Sequence, residues 1–328
     1  MRAIGIRRFG GVDALEAMDL PKPEPGPGEV RVKVAFAGVK PTDAHVRAGA
    51  FVDNHASGRS FPFVLGYEGV GHVDAAGTGV DGLDAGRRVA WCGHGGSYAE
   101  FQIVPAWRLA DIPEGLALDI ACALQLDGLM AHALVTSAFP VRDGDRLLVQ
   151  SGGGALAAMV VQSAVQRGAH VIAVAHGASE AAALRRAGAG HVVVAADDQI
   201  VRELMLLSDG KGYDAVINCD GGKTLETSLR CARRRGVVLL PGGGRQPTAP
   251  LKPELLGASG SVYLTYVHLP DYLQDAHEIR WRTGEVFAAV EAGRLDVQVG
   301  RIMPLSAARE AHLALAAEVY GGTLLLKP

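Results

Sequence analysis

The sequence predicts an α/β protein with a β-rich first domain followed by a doubly wound parallel sheet. Three observations predict it. Residues 1 to about 120 carry short alternating runs broken by Gly and Pro, as in Pro21 to Gly28. From about Leu118, apolar strand-like runs alternate with helical ones. Near the head of that second region, the apolar run at 147–151 ends in a glycine cluster that opens a helical run at 155–167.

Taken in order, Val30-Arg31-Val32-Lys33-Val34 alternates at period two, as a half-buried strand does. Many short strands and turns in this region predict a compact barrel-like domain. After the strand at 147–151 and helix at 155–167 come a strand at His170–Ala175 and a helix at Ser179–Ala187, closed by Gly188. Val192–Val194 is a short strand, Ile200–Leu207 a helix and Asp214–Asn218 a strand. Leu225–Arg233 reads as a helix, Val237–Leu240 as a strand and Val262–Val267 as the last strand. Six strands are the count of a complete doubly wound sheet. Helices around Glu278–Ala292 and Ser306–Ala317 then lead to a final strand, Leu324–Leu326. Arg233-Arg234-Arg235, the longest basic run, reads as a solvated helix end.

The glycine cluster carries chemistry. Gly152, Gly154 and Ala157 fall as G-x-G-x-x-A between a strand and a helix, the dinucleotide fingerprint in its structural context. Small residues allow a tight turn and let a pyrophosphate approach the first helical amides, where the helix terminus stabilises negative charge. Gly152, Gly153, Gly154, Ala155, Leu156 and Ala157 are therefore the candidate diphosphate cradle, with His176 and Gly242 at the ends of later strands.

Composition narrows the class. The chain has 328 residues, enough for two domains, and 48% of them are hydrophobic. A net charge of -3 gives no electrostatic case for nucleic acid. No apolar stretch reaches membrane-spanning length, and the start of the chain lacks an apolar core followed by a cleavage site, so a cytoplasmic protein is expected. The four cysteines, Cys92, Cys122, Cys219 and Cys231, form no C-x-x-C pair, against a structural zinc knot or a disulfide framework.

Further segments complete a likeness. Pro23 to Val30, Asp43 to Gly49, Pro62 to Gly71, Gly96-Ser97-Tyr98-Ala99-Glu100, Ala131-His132, Arg235-Gly236 and Gly322 to Pro328, with the glycine motif, resemble the medium-chain dehydrogenase/reductase superfamily. The nearest branch is the zinc-independent, zeta-crystallin-like quinone oxidoreductases. The resemblance implies a GroES-like substrate domain over 1–119, a Rossmann domain over 120–267 and a return to the GroES-like domain over 268–328. It also implies a cleft between domains, a small-molecule substrate, NADPH as coenzyme and a homodimer paired through the last Rossmann strand.

By the same match, the positions that hold catalytic zinc in metal-dependent relatives are Lys40, Tyr67 and Asp127 here. An ammonium and a phenol are poor zinc ligands, so no zinc is expected. Where the branch carries Asn, Tyr, Gln and Thr, this chain has Lys40, His45, Asp127 and Met130, which makes the expected pocket more ionisable. Lys40, His45 and Asp127 are the candidate catalytic residues. If Lys40 and Asp127 meet, each favours the other's charged form, and His45 then titrates near neutral pH. Glu68, between glycines, is expected to be a structural carboxylate. Asp43 either orients His45 or caps the helical turn that follows.

The coenzyme side departs too. NADP-preferring relatives carry Lys where this chain has Glu180, and the strand end Val174-Ala175-His176 lacks the acid that holds the ribose of NAD. With His176, Arg185 and Arg186 nearby in sequence, the balance favours NADPH over NADH. Two functions follow. One is reduction of quinones or α,β-unsaturated carbonyls, with Lys40 as electrophile and His45 as proton donor. The other is redox-silent acid-base chemistry, as a lyase, isomerase or cyclase, by Lys40, His45 and Asp127. The outer cleft is assigned to Phe51, Val52 and the loop from Asn54 to Ser60.

Overall fold

The computed structural model describes residues 1–50, 60–152, 154–194, 200–242, 250–317 and 322–328. Gly153 and the outer-loop positions Phe51, Val52 and 54–59 lie outside the described residues. The chain divides into two compact units: Met1–Leu126 with Leu273–Ala292 and Val297–Pro328, and Asp127–Tyr272 with Gly293–Asp296.

The first unit begins with β1 (Arg2–Ile6), β2 (Leu15–Asp19), β3 (Glu29–Val39), α1 (Pro41–Ala48) and β4 (Phe63–Val64). β5 (Glu68–Ala76), β6 (Arg88–Cys92), β7 (Phe101–Pro105), β8 (Ala110–Asp111) and α2 (Leu118–Ala123) follow; of α3 (Leu126–Ala133), all but Leu126 belongs to the second unit. The second unit holds β9 (Arg146–Gln150), α4 (Ala155–Val165), β10 (His170–Ala175), α5 (Ala178–Arg186), β11 (His191–Val194) and α6 (Ile200–Leu207). It continues through β12 (Tyr213–Asn218), α7 (Leu225–Cys231), β13 (Ala232–Pro241), α8 (Glu254–Ala258) and β14 (Tyr263–Val267). The chain returns to the first unit with α9 (Ala276–Glu291), β15 (Val299–Pro304), α10 (Ala308–Ala317) and β16 (Thr323–Lys327).

In the first unit a seven-stranded sheet runs β15-β16-β3-β5-β6-β8, with β7 also paired to β3, beside a three-stranded sheet β2-β1-β4. β3 is the hub because Val30, Val32 and Val34 all reach the core. Arg31, between them, is buried as well, at 9% exposure. Its guanidinium is matched by Asp74 at 2.6 Å and Glu24 at 2.7 Å.

The second unit is a six-stranded, wholly parallel sheet in the order β11-β10-β9-β12-β13-β14. Leu147, Leu148 and Val149 of β9 are fully buried, as a strand covered on both faces requires. The chain winds outward from β9 through β10 and β11, then restarts at β12 on the other side. The ends of β9 and β12 are therefore the topological switch point, where open α/β sheets bind ligands.

All six expected strands are present. The basic triplet differs from expectation: α7 ends at Cys231, and Arg233-Arg234-Arg235 form a bulge inside β13. The register moves from Tyr213↔Ala232 to Ala215↔Val237. Arg235 takes φ 56° there, and Arg233 Nε reaches Asp214 Oδ1 at 2.5 Å. An ion pair to the neighbouring strand makes a bulge, rather than a helix end, the better place for this run. Strand β15 is exposed along much of its length and gave no alternating signal. No helix among the described residues is long and apolar enough to cross a membrane.

Candidate active site

The turn from β9 into α4 is closed by packing. A Cβ on Gly152 would lie 2.3 Å from the Cys219 carbonyl oxygen and 3.2 Å from Asp220 Cα, so only glycine lets β9 end against β12. Gly154, the residue before α4, is extended at φ −99° and ψ 177°, and a Cβ there would meet nothing within 4 Å. The first turn of α4 follows at once, where Ala155, Leu156 and Ala157 carry amides that have no acceptor inside a helix. Ala157 is buried at 1% exposure, which fits the small residue that the helix–sheet contact needs.

Polar side chains fix the strand ends around this turn. Glu180 accepts from the Ser151 hydroxyl through Oε1 and from the His176 amide at 2.7 Å through Oε2. His176 Nε2 lies 3.3 Å from Asp220 Oδ1, linking the end of β10 to that of β12. Asn218 Oδ1 accepts from Asp220 N, Gly221 N and the Thr224 hydroxyl, while its amide donates to Ser228 Oγ at 3.0 Å. Gly242, after β13, donates to the Val267 carbonyl at 2.8 Å. Burial first, then the nearby carboxylates of Asp127, Asp220 and Glu180, push the Cys219 thiol far above its ordinary range. Asp127 thus belongs to the acidic surroundings of this switch point.

In the first unit, α1 organises a second cluster. Pro41 supplies a preset φ at the first helical position, and Lys40 precedes it. Asp43 Oδ2 accepts from the Lys40 amide at 2.8 Å, while Asp43 N donates back to the Lys40 carbonyl at 3.0 Å. Asp43 is therefore the cap of the turn. Gly49 ends the helix in the left-handed region at φ 82°.

Lys40 is 5% exposed and Glu68 1%. Lys40 Nζ stands 3.5 Å from Glu68 Oε1, and Glu68 Oε2 accepts from the Leu126 amide at 2.6 Å. A Cβ on Gly38 would fall 1.7 Å from Glu68 Oε1, so this carboxylate lies directly on the β3 backbone. Glu68 is thus a carboxylate that Lys40 meets within the first unit.

Behind Asp43 runs a hydrogen-bonded chain. Tyr98 Oη donates to Asp43 Oδ2 at 3.3 Å and lies 3.2 Å from His312 Nε2, while Arg47 donates to His312 Nδ1 at 2.7 Å. With Arg47 donating to Nδ1, the tautomer that satisfies the chain carries its proton on Nε2. Burial, followed by the Arg47 charge, lowers His312 to about 3, which keeps it neutral. Burial raises Asp43 to about 7; the Lys40 amide opposes this and Glu68 adds to it. Burial lowers the His45 pKa from its ordinary value.

His312 left no local trace in the sequence, because it meets Arg47 from 265 positions away. His132, at 7% exposure, accepts the Thr136 hydroxyl at its own carbonyl, 2.7 Å away, in a packed helical turn. Met130 is core, at 2% exposure. Among the described residues no group of three or more His, Cys, Asp or Glu side chains is placed to hold a metal ion.

Two family models match the chain. Residues 26–114 match the alcohol dehydrogenase GroES-like domain, and residues 155–278 the zinc-binding dehydrogenase family. The 2-haloacrylate reductase of a Burkholderia species is 30% identical over 327 residues, covering 98% of both chains. The native structure of a mycobacterial protein complexed with NADPH shares 35% identity with a TM-score of 0.94, covering 100% of both chains. The chain belongs to the medium-chain dehydrogenase/reductase superfamily, in its quinone oxidoreductase branch. Escherichia coli quinone oxidoreductase complexed with NADPH superimposes with a TM-score of 0.94 at 26% identity, over 100% of both chains. The first unit of this quinone oxidoreductase-type chain thus contains the GroES-like domain, and the second carries the Rossmann-type sheet.

Proposed function

We propose that the protein is a zinc-independent, NADPH-dependent reductase of quinones or α,β-unsaturated carbonyl compounds, using NADH more weakly. The observation that carries the reading is the β9–α4 turn at the switch point, with Gly152 closing it and an open cradle at Gly154. Support comes from a full-length relative named a 2-haloacrylate reductase and from two full-length structural matches described with NADPH.

The residues present fit a dinucleotide. Gly152, Gly154, Ala155, Leu156 and Ala157 would hold the diphosphate at the first turn of α4, and Gly242 would leave room at the end of β13. Bound NADPH supplies a hydride. Lys40 holds positive charge against the oxyanion that develops when an enone or quinone is reduced. Glu68 stands beside the ammonium, and Asp43 holds the Lys40 backbone at the helix start. His45 relays a proton to the reduced product: one ring nitrogen releases its proton as the other takes one from water. Zinc does not fit the donor set, because Lys40 and Tyr67 bring an ammonium and a phenol to the positions that ligate it in relatives.

The test is to mix purified protein with NADPH and a simple quinone such as menadione, or with 2-chloroacrylate, and to follow coenzyme oxidation. The proposal expects stoichiometric oxidation with at least one acceptor class. We also propose a homodimer paired through β14, the edge strand of the six-stranded sheet, where Tyr263 and Tyr266 are 65% and 52% exposed. Sedimentation velocity then returns twice the chain mass of 34.2 kDa, and a single-chain mass rejects the dimer.

A further inference from the structure

We propose that Glu180 is a specificity residue that acts against the coenzyme's 2′-phosphate and accepts the ribose hydroxyls, so that the protein separates NADPH from NADH only weakly. This rests on the coenzyme reading above and adds which part of the dinucleotide the chain resists.

The argument starts from position. In a doubly wound sheet the diphosphate lies at the first strand–helix turn, and the adenosine ribose lies at the end of the second strand. Here those places are the end of β9 and the end of β10. Glu180, in the first turn of α5, joins the two: Oε1 takes the hydroxyl of Ser151, the residue after β9, and Oε2 takes the amide of His176, the residue after β10. Two donors from two strand ends hold the carboxylate at the ribose corner.

A carboxylate there is an acceptor only. A free 2′-hydroxyl donates to it, whereas a 2′-phosphate dianion has no proton to give and meets like charge. His176 is a poor counterweight, since its ring is engaged with Asp220 Oδ1 at 3.3 Å. Arg185 and Arg186 sit in the last turn of α5, at the far end of the helix from Glu180. Further along the same edge, Asp127, Asp220 and Glu180 act together on Cys219, so the corner is acidic as a whole.

The experiment is a direct binding titration by calorimetry. The full chain is titrated with NADPH and with NADH, as wild type, Glu180→Gln and Glu180→Lys, with thermal unfolding of each coenzyme-free protein recorded beside it. Gln retains a hydrogen-bond acceptor, and Glu180 is only partly buried, so the variants are expected to melt with the wild type. The wild type binds the two coenzymes within about tenfold of each other; Glu180→Gln strengthens NADPH by about tenfold without strengthening NADH, and Glu180→Lys extends that gain. Equal changes for both coenzymes, or an unchanged NADPH affinity, overturn the role of Glu180 while leaving the coenzyme reading intact. Failure of the wild type to bind either coenzyme overturns that reading, and this inference with it.

Discussion

Lys40 Nζ and Glu68 Oε1 stand 3.5 Å apart with their side chains 6% and 1% exposed. Neither charge keeps its hydration, so each depends on the other. The ammonium also sits at the start of α1, where the helix dipole disfavours a cation. Glu68 and Asp43 together offset that cost and fix where the positive charge lies.

Removing one partner takes a close counter-charge away from a buried group. Lys40→Met is expected to lose about 3 kcal/mol of stability in urea unfolding, and the Lys40→Met/Glu68→Gln double variant to recover most of it. Additive losses would show that the two side chains act independently.

Lys40 also separates chemistry from binding. Lys40→Ala should lower kcat while NADPH affinity, measured by calorimetry, changes little. Parallel loss of both would mark a nucleotide-binding lysine.

Asp43 and His312 impose opposite pH dependences. Asp43 is raised from about 3.9 in the unfolded chain to about 7 in the folded one. Its contribution is fully present below the unfolded value and is lost as pH rises through 7. His312 is lowered from about 6.5 unfolded to about 3 folded. Its contribution is present above the unfolded value and is lost as pH falls towards 3. Between about pH 4 and 6.5 the two slopes, each approaching 1.4 kcal/mol per pH unit, nearly cancel. Asp43→Asn should therefore expose a stability that falls steadily on acidification through that window. A variant whose pH profile overlays the wild type contradicts the assignment.

The glycines of the β9–α4 turn differ in kind. Gly152→Ala places a Cβ 2.3 Å from a backbone carbonyl and should destabilise the fold by about 2 kcal/mol or more. Gly154→Ala meets no protein atom within 4 Å and should leave stability within about 0.5 kcal/mol while weakening NADPH binding. Matching melting curves for the two variants would show that the turn is not closed as described.

Chelator treatment should leave quinone reduction unchanged, and metal analysis of active protein should find zinc far below one per chain. Activity lost with EDTA and restored by zinc would return a metal to the site.

The parallel sheet was legible because most of its strands carry short, largely buried apolar runs; β14, buried only at Val267, is the exception. The bulge in β13 was not, since a basic run after a helix gives no sign that Asp214 on the neighbouring strand will pair with it. Gly152 and Gly154 were found by spacing, yet their different roles depend on Cys219 and Asp220, which are distant in sequence. Lys40 was flagged by its residue type at an aligned position. Its partner Glu68 and the Tyr98–His312–Arg47 chain required three dimensions, because hydrogen bonds between remote elements leave no periodic trace.

The most direct measurement of the central claim is coenzyme oxidation in a mixture of wild-type protein, NADPH and menadione, with NADPH binding titrated in parallel. The account predicts saturable binding and one NADPH consumed for each quinone reduced by two electrons. Absence of binding, or binding without oxidation across both quinones and 2-haloacrylates, would contradict it.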